Sequence, residues 1–133
     1  MTGDLLVNPV SFALGVYPSG WLKALERIDA LDATVIIPGH GEPLRDRELL
    51  RATMGVFREL LRQGQALKEK GLDADQARAV ISPTLKDLRA KIMRDDPRQN
   101  QLFEVYLVDW FLHRVYDELA GPLTDAIAPP PPR

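Results

Sequence analysis

Two short apolar runs and a helical pattern between them mark the first third of the chain. The runs cover residues 4–7 and 34–37, and each is closed by a turn that contains proline. Short apolar runs bounded in this way predict buried strands. Ser19 can cap a helix over residues 19–31, whose apolar positions recur at helical spacing and are Trp21, Leu22, Leu25 and Ile28. The pattern therefore predicts a β-α-β unit with strands covered on both faces.

The pattern after residue 46 is helical. Asp46 can cap a long helix that stops at Gly71. Asp73 and Gln76 have the side-chain chemistry of a capping box, and a proline ends the helix that they open near Ser82. The next helix carries the apolar positions Leu85, Leu88, Ile92 and Met93, and the chain then breaks at Asp95-Asp96-Pro97. We expect only helices and loops between residues 46 and 120.

The last predicted helix, over residues 99–119, is apolar on nearly every side and needs cover from several directions. The aromatic residues of this helix are Phe103, Tyr106, Trp110 and Phe111. We expect them in the core of the helical layer or against a second subunit; the less favoured alternative is that they line a substrate pocket. We therefore predict self-association at micromolar concentration, as a homodimer or soluble aggregate, or pairing with a missing upstream half.

Three parts follow from these patterns: residues 1–45, a helical extension over 46–121, and a Pro-rich tail over 122–133. The tail ends in four prolines and an arginine. Such a segment cannot continue a helix or a sheet, so we expect it to be extended and mobile.

Composition and charge narrow the classes of partner. The chain has 133 residues, a net charge of -2 and a pI near 5.7, so it lacks the basic excess of a nucleic-acid-binding protein. No apolar run reaches the ~20 residues of a membrane helix, so no membrane partner is expected. The chain contains no cysteine, and any metal must be bound by histidine and carboxylates. Localisation stays open, with the cytoplasm favoured, because an upstream signal could be missing.

Two short segments carry residue types suited to metal chemistry. They are Thr2-Gly3-Asp4, at the first run, and Pro38-Gly39-His40-Gly41, directly after the second. Parallel strands of one β-α-β unit end at the same edge of a sheet, and glycine lets backbone approach a ligand closely. Asp4, however, lies near the start of its run, so the sequence leaves its distance from His40 open.

The two segments together resemble the last two metal motifs of the metallo-β-lactamase superfamily. The resemblance covers residues 2 to about 44 and rests on the order of the motifs, the helix between them and the 36-residue separation of Asp4 and His40. It implies the C-terminal part of an αββα sandwich, here followed by an all-helical extension. Residues beyond 46 resemble only the helical extensions of some members.

The resemblance also implies roles for the two residues. Asp4 would be a bridging carboxylate and His40 the final histidine of a centre with one or two zinc ions. A metal-bound hydroxide would then hydrolyse a small-molecule substrate, namely an ester, thioester, lactone or lactam. No catalytic residue beyond these metal ligands is indicated.

The sequence departs from the family pattern in its ligand count. The family's His-x-His-x-Asp-His motif is absent, and the only other histidine is His113, which we interpret as a packed or hydrogen-bonded helix residue. The zinc site would be incomplete here, and the chain alone inactive. Simpler interpretations also stand: Asp4 as a turn residue, His40 as a loop residue bound to backbone. The alternative function is a noncatalytic helical dimerisation module with vestigial ligands.

Overall fold

The computed structural model describes residues 1–93 and 97–123. Within these ranges the regular elements are helices, and six of them are α-helical: α1 Pro18–Ala30, α2 Glu48–Glu69, α3 Ala74–Ile81, α4 Lys86–Met93, α5 Pro97–Leu102 and α6 Trp110–Ala120. A 3₁₀ turn, Ser82–Leu85, joins α3 to α4, and a π-helical stretch, Phe103–Asp109, joins α5 to α6. The predicted break at Asp95-Asp96 and the tail beyond residue 123 lie outside the described residues.

Local sequence signals account for the end of α2 and the start of α3. Gly71 follows the end of α2 with a φ of 85°, a left-handed conformation that favours glycine. The Asp73 side chain accepts a hydrogen bond from the Gln76 N–H, and the Gln76 side chain accepts one from the Asp73 N–H. The predicted stop and the predicted capping box are therefore confirmed.

Two predicted caps differ from the structure. The cap of α1 is Tyr17, because Pro18 occupies the first helical position, and Ser19 lies inside the first turn. The Ser19 N–H and hydroxyl both donate to the Glu118 carboxylate, a contact 99 residues away that the local sequence does not reveal. Asp46 accepts a hydrogen bond from the Glu48 N–H at 2.9 Å but lies one residue before the cap position of α2.

The predicted β-α-β unit is wrong, and with it the assignment to an αββα sandwich. Among the described residues there is no β-sheet, and residues 4–7 and 34–37 are not strands. One parallel bridge joins Gly3 to Pro38. Neither run is buried along its whole length, because Leu5, Val35 and Ile37 are exposed. A pairing this short, without further strands beside it, does not propagate into a sheet.

Helix α2 is the centre of the fold and packs against α1, α3, α4 and α6. Its Phe57 ring stacks on Phe111 of α6 with ring centroids 4.3 Å apart, and lies 4.5 Å from Trp21 of α1. Phe57 and Phe111 are fully buried. Such aromatic contacts combine a large buried apolar area with a preferred ring geometry, so this trio fixes how three helices meet.

The π-helical stretch and α6 are covered by the chain's own helices. The buried apolar residues on this segment are Phe103, Leu107, Val108, Phe111, Leu112 and Val115, which confirms the expectation that part of its aromatic content is core. Gly64 of α2 provides the room for this packing, because a Cβ there would lie 2.9 Å from Leu112 Cδ1. The apolar character that motivated a homodimer is thus largely accounted for within the chain, and self-association stays a prediction. None of the described helices is long and apolar enough to cross a membrane.

We predict that Phe57→Ala lowers the free energy of unfolding by about 3–5 kcal/mol, because it removes the ring shared by α1 and α6 and leaves a cavity. The measurement is equilibrium urea unfolding followed by far-UV circular dichroism. Val80→Ala, at an exposed position of α3, is the control and should change stability by less than about 0.5 kcal/mol. Equal losses for both variants would mean that the aromatic trio does not organise the core.

Candidate metal centre

Residues 2–8 lie beside residues 37–40 through backbone hydrogen bonds. The Thr2 N–H donates to the Ile37 carbonyl at 2.9 Å, and the Gly39 N–H donates to the Leu6 carbonyl at 3.0 Å. Further along, the Asn8 N–H donates to the His40 carbonyl at 3.1 Å. These three bonds join segments far apart in sequence, and we call the joined segments the backbone clasp.

The loop that carries His40 is closed at its base. Ile36 and Leu44 exchange two backbone hydrogen bonds, with N···O distances of 2.9 and 2.8 Å. Ile36 is buried in the main core, and Leu44 packs against that core. The loop over residues 37–43 is therefore anchored to the helical body by its two ends, which limits how far His40 can move.

Glycines allow the two segments to come this close. A Cβ on Gly39 would lie 2.3 Å from Asp4 Oδ1 and 2.6 Å from the Gly3 carbonyl carbon. A Cβ on Gly41 would lie 2.5 Å from the Asn8 carbonyl oxygen, and Gly41 also has a φ of 85°. Both positions exclude a side chain because the obstacle is backbone. The glycines on either side of His40 thus serve the approach of the Asp4 segment.

The clasp brings Asp4 and His40 together at the surface. The His40 Nε2 atom lies 3.3 Å from Asp4 Oδ1, although 36 residues separate them. Both side chains point into solvent, with 80% of the Asp4 side chain and 73% of the His40 side chain exposed. The structure therefore places the two predicted ligands side by side, which the sequence could not decide.

The distance between the two side chains fits zinc ligation. Two donor atoms bound at about 2.0–2.1 Å to one tetrahedral zinc lie about 3.4 Å apart, close to the 3.3 Å between His40 Nε2 and Asp4 Oδ1. The same distance also fits an ion pair in the absence of metal. No third histidine or carboxylate among the described residues joins this pair. Whether the two residues bind a metal stays a prediction.

A second cluster of suitable side chains lies between α3 and α6. Asp75, Asp109 and His113 each offer one atom, and these atoms lie within 4.8 Å of one another. The His113 Nε2 atom is 3.8 Å from Asp75 Oδ1 and 3.7 Å from Asp109 Oδ1. His113 was expected to be a packed or hydrogen-bonded residue; it is partly exposed and faces two carboxylates. The spacing of four between Asp109 and His113 is the sequence signal that could have indicated this pair.

Arg78 argues against a metal in this second cluster. Its Nε atom lies 3.2 Å from Asp109 Oδ1, and Asp109 is buried. A divalent cation on Asp109 would sit beside this guanidinium group, and the repulsion would be strong in a buried setting. The cluster is better explained as an ion-pair network that joins α3 to the segment around α6.

An apolar groove of about 660 Å³ begins at Asp4. Its lining includes Leu5, Phe12, Leu14, Tyr17, Gly20 and Trp21, and we call it the Trp21 groove. The Trp21 Nε1–H donates to the Leu5 carbonyl at 2.8 Å, so the residue after Asp4 is bound directly to a core side chain. Sequence reasoning did not identify this groove, because Phe12, Leu14 and Tyr17 belong to a loop without periodicity.

No family model, no curated protein and no solved structure matches the chain.

We predict that Gly39→Ala lowers the free energy of unfolding by about 1–3 kcal/mol, because its Cβ would overlap the Gly3 backbone and push the clasp apart. Urea unfolding measures the loss. Gly121→Ala is the matched control, since a Cβ there meets nothing within 4 Å, and it should leave stability nearly unchanged. If the two variants are equally stable, the close approach of the two segments does not exist in solution.

Proposed function

We propose that this chain contributes Asp4 and His40 to the zinc centre of a hydrolase similar to the metallo-β-lactamase superfamily. The observation that carries the proposal is the 3.3 Å separation of the two side chains across the backbone clasp. The contact joins two residues that lie 36 positions apart in sequence, and its length matches the separation of two ligands on one tetrahedral zinc. Gly39 and Gly41 support the proposal, because a Cβ at either position would overlap the backbone of the Asp4 segment and prevent this approach.

The proposed reaction is hydrolysis of an ester, thioester, lactone or lactam. Water adds to the carbonyl carbon, the bond to the leaving oxygen, sulfur or nitrogen breaks, and the leaving group takes a proton. Zinc, when bound, lowers the pKa of water to about 7 and polarises the carbonyl. Asp4 and His40 would hold the metal, and the clasp would keep their donor atoms at a fixed separation.

Two ligands do not make a catalytic zinc site. Such a site takes three protein ligands and keeps one position for water, and the described residues bring only Asp4 and His40 together here. We therefore propose that further ligands come from an upstream half that carries the His-x-His-x-Asp-His motif. The large exposure of both side chains supports this, because it leaves them accessible to additional polypeptide.

The alternative of a noncatalytic dimerisation module rests on fewer observations. Its motive was the apolar last helix, and most apolar residues of that segment are buried against the chain's own helices. Exposed apolar residues remain at Leu102, Val105 and Leu119, and a second set of exposed apolar residues lines the groove beside Asp4. We therefore favour the zinc hydrolase.

We predict weak zinc binding by the chain alone, with at least a tenfold loss of affinity in both His40→Ala and Asp4→Ala. Isothermal titration with zinc chloride measures this. His113→Ala is the matched control, because it removes the histidine of the second cluster and should leave zinc binding unchanged. Loss of binding in the control, with Asp4→Ala and His40→Ala unaffected, would assign the metal to the second cluster and reject the proposal.

We also predict no measurable hydrolase activity for the chain alone, and turnover of a generic ester or lactone once the upstream half is supplied in one chain or as a separate fragment. In the completed protein, Asp4→Ala should reduce activity more than metal content, because a bridging carboxylate positions more than one group. His40→Ala should lose mainly the metal. Equal turnover with both residues replaced would show that they are not ligands.

A further inference from the structure

The Trp21 groove exposes several large apolar side chains. Phe12 is 56% exposed, and Leu5, Leu14 and Tyr17 each have more than two fifths of their surface in solvent. Single exposed apolar residues need no explanation, whereas four large ones around one concavity indicate a binding surface. The volume of about 660 Å³ falls in the range typical of small-molecule sites.

The walls of the groove are held in place by the last helical segment. The Ala13 N–H donates to the Tyr106 carbonyl at 2.9 Å, and Arg114 Nε–H donates to the Val16 carbonyl at 2.9 Å. The Phe12 ring meets the Tyr106 ring edge-on, with centroids 4.9 Å apart. The loop that forms one wall is thus bonded on both sides of Leu14, so the groove exists before any ligand arrives.

Small residues on α1 leave the floor of the groove open. Gly20 and Ala24 lie one helical turn apart on the face of α1 that lines it. A Cβ on Gly20 would meet only Tyr17 Cβ, at 3.6 Å, which is ordinary contact. Neither sterics nor a positive φ requires glycine here, and glycine in a helix has an entropic cost relative to alanine. The absence of a side chain keeps space in the groove.

The chemistry of the lining restricts the ligand. Of the described residues that line the groove, Asp4 is the only acidic one, and none is a lysine, arginine or histidine. The other polar side-chain groups are the Tyr17 phenol and the Trp21 indole N–H, which already donates to the Leu5 carbonyl. Arg114 lies 6.0 Å from the Tyr17 ring and is not part of the lining. An anionic group inside the groove would therefore lose hydration without finding a cation, and would face the Asp4 carboxylate. An uncharged apolar group would gain by burial.

We propose that the Trp21 groove binds the uncharged apolar acyl or aryl part of the substrate, with the scissile carbonyl at the end where Asp4 lies. This inference rests on the proposed function and deepens it: among the candidate substrates it selects hydrophobic esters and thioesters over small polar lactams. The groove adjoins the Asp4–His40 pair, so one ligand reaches both. Each methylene buried in the groove should tighten binding about fourfold.

The test measures binding of methyl octanoate and methyl butanoate to the full chain in EDTA, by two-dimensional NMR. The chain contains two tryptophans, and Trp21 lines the groove whereas Trp110 does not. Methyl octanoate should shift the Trp21 indole signal, bind more tightly than methyl butanoate, and leave the Trp110 indole signal unchanged. Absence of a Trp21 shift at the solubility limit of methyl octanoate would overturn the proposal.

Filling the groove provides the matched comparison. Gly20→Leu, and Ala24→Leu as a second variant, should weaken methyl octanoate binding at least tenfold while thermal unfolding confirms a folded protein. Lys23→Leu adds the same side chain to an exposed position of α1 outside the lining and should bind as the wild type does. Equal binding by all three variants would overturn the proposal. So would a wild-type dimer, seen by sedimentation, that Gly20→Leu dissociates, because a second copy would then cover the groove.

Binding of methyl octanoate and binding of zinc can be measured separately, so the groove and the zinc site can fail independently. His40→Ala should still bind methyl octanoate in EDTA, because His40 is outside the groove lining and the groove does not depend on zinc. If methyl octanoate binds in the groove but zinc does not bind at Asp4 and His40, the apolar site stands and the hydrolase proposal fails. If zinc binds there but methyl octanoate leaves the Trp21 signal unchanged, the acyl site is rejected and the zinc proposal stands.

Discussion

The side chain of Trp21 joins the helical core to the Asp4 segment of the proposed site. Its ring lies 4.5 Å from Phe57 and 6.2 Å from Phe111, so it joins α1 to α2 and α6. Its Nε1–H donates to the Leu5 carbonyl, next to Asp4. One face of the same side chain lines the groove. The position of the Asp4 segment is thus set by a residue whose own position the helical core determines.

The candidate site is built from backbone contacts more than from side-chain contacts. Asp4 and His40 are largely exposed, and neither depends on packing for its position. Their separation follows from the clasp, from the Ile36–Leu44 closure of the loop and from the absence of a Cβ at residues 39 and 41. This arrangement suits a pair of metal ligands. The backbone contacts fix the positions of the two residues, while their donor atoms stay accessible to a metal ion.

The two clusters of histidine and carboxylates show why proximity alone does not identify a metal site. Asp75, Asp109 and His113 have the larger number of donor atoms, but Arg78 already lies against Asp109, which is buried. Asp4 and His40 are fewer, but their spacing fits zinc geometry, and an apolar groove opens beside Asp4. Charge and surroundings therefore favour the smaller set.

The helical parts of this protein follow from local sequence. The capping box at Asp73 and Gln76, the left-handed Gly71 and the proline after Ser82 set helix ends through contacts within a few residues, and such contacts are legible in sequence. The expectation that Asp4 and His40 belong together also came from sequence, through the order and spacing of their motifs. Their actual separation did not.

The tertiary structure decided the features that depend on contacts between residues far apart in sequence. The apolar runs at 4–7 and 34–37 have the composition of strands, but among the described residues they form no sheet. Neither run is buried along its whole length, and the pairing beside them is the single bridge from Gly3 to Pro38. Ser19 donates to Glu118 instead of capping α1, since the end of α6 happens to lie beside it. The Trp21 groove exists because Tyr106 and Arg114 bond the loop from the far end of the chain. Hydrogen bonds within one turn are determined by neighbouring residues, whereas burial and long-range pairing depend on how the helices pack around Phe57.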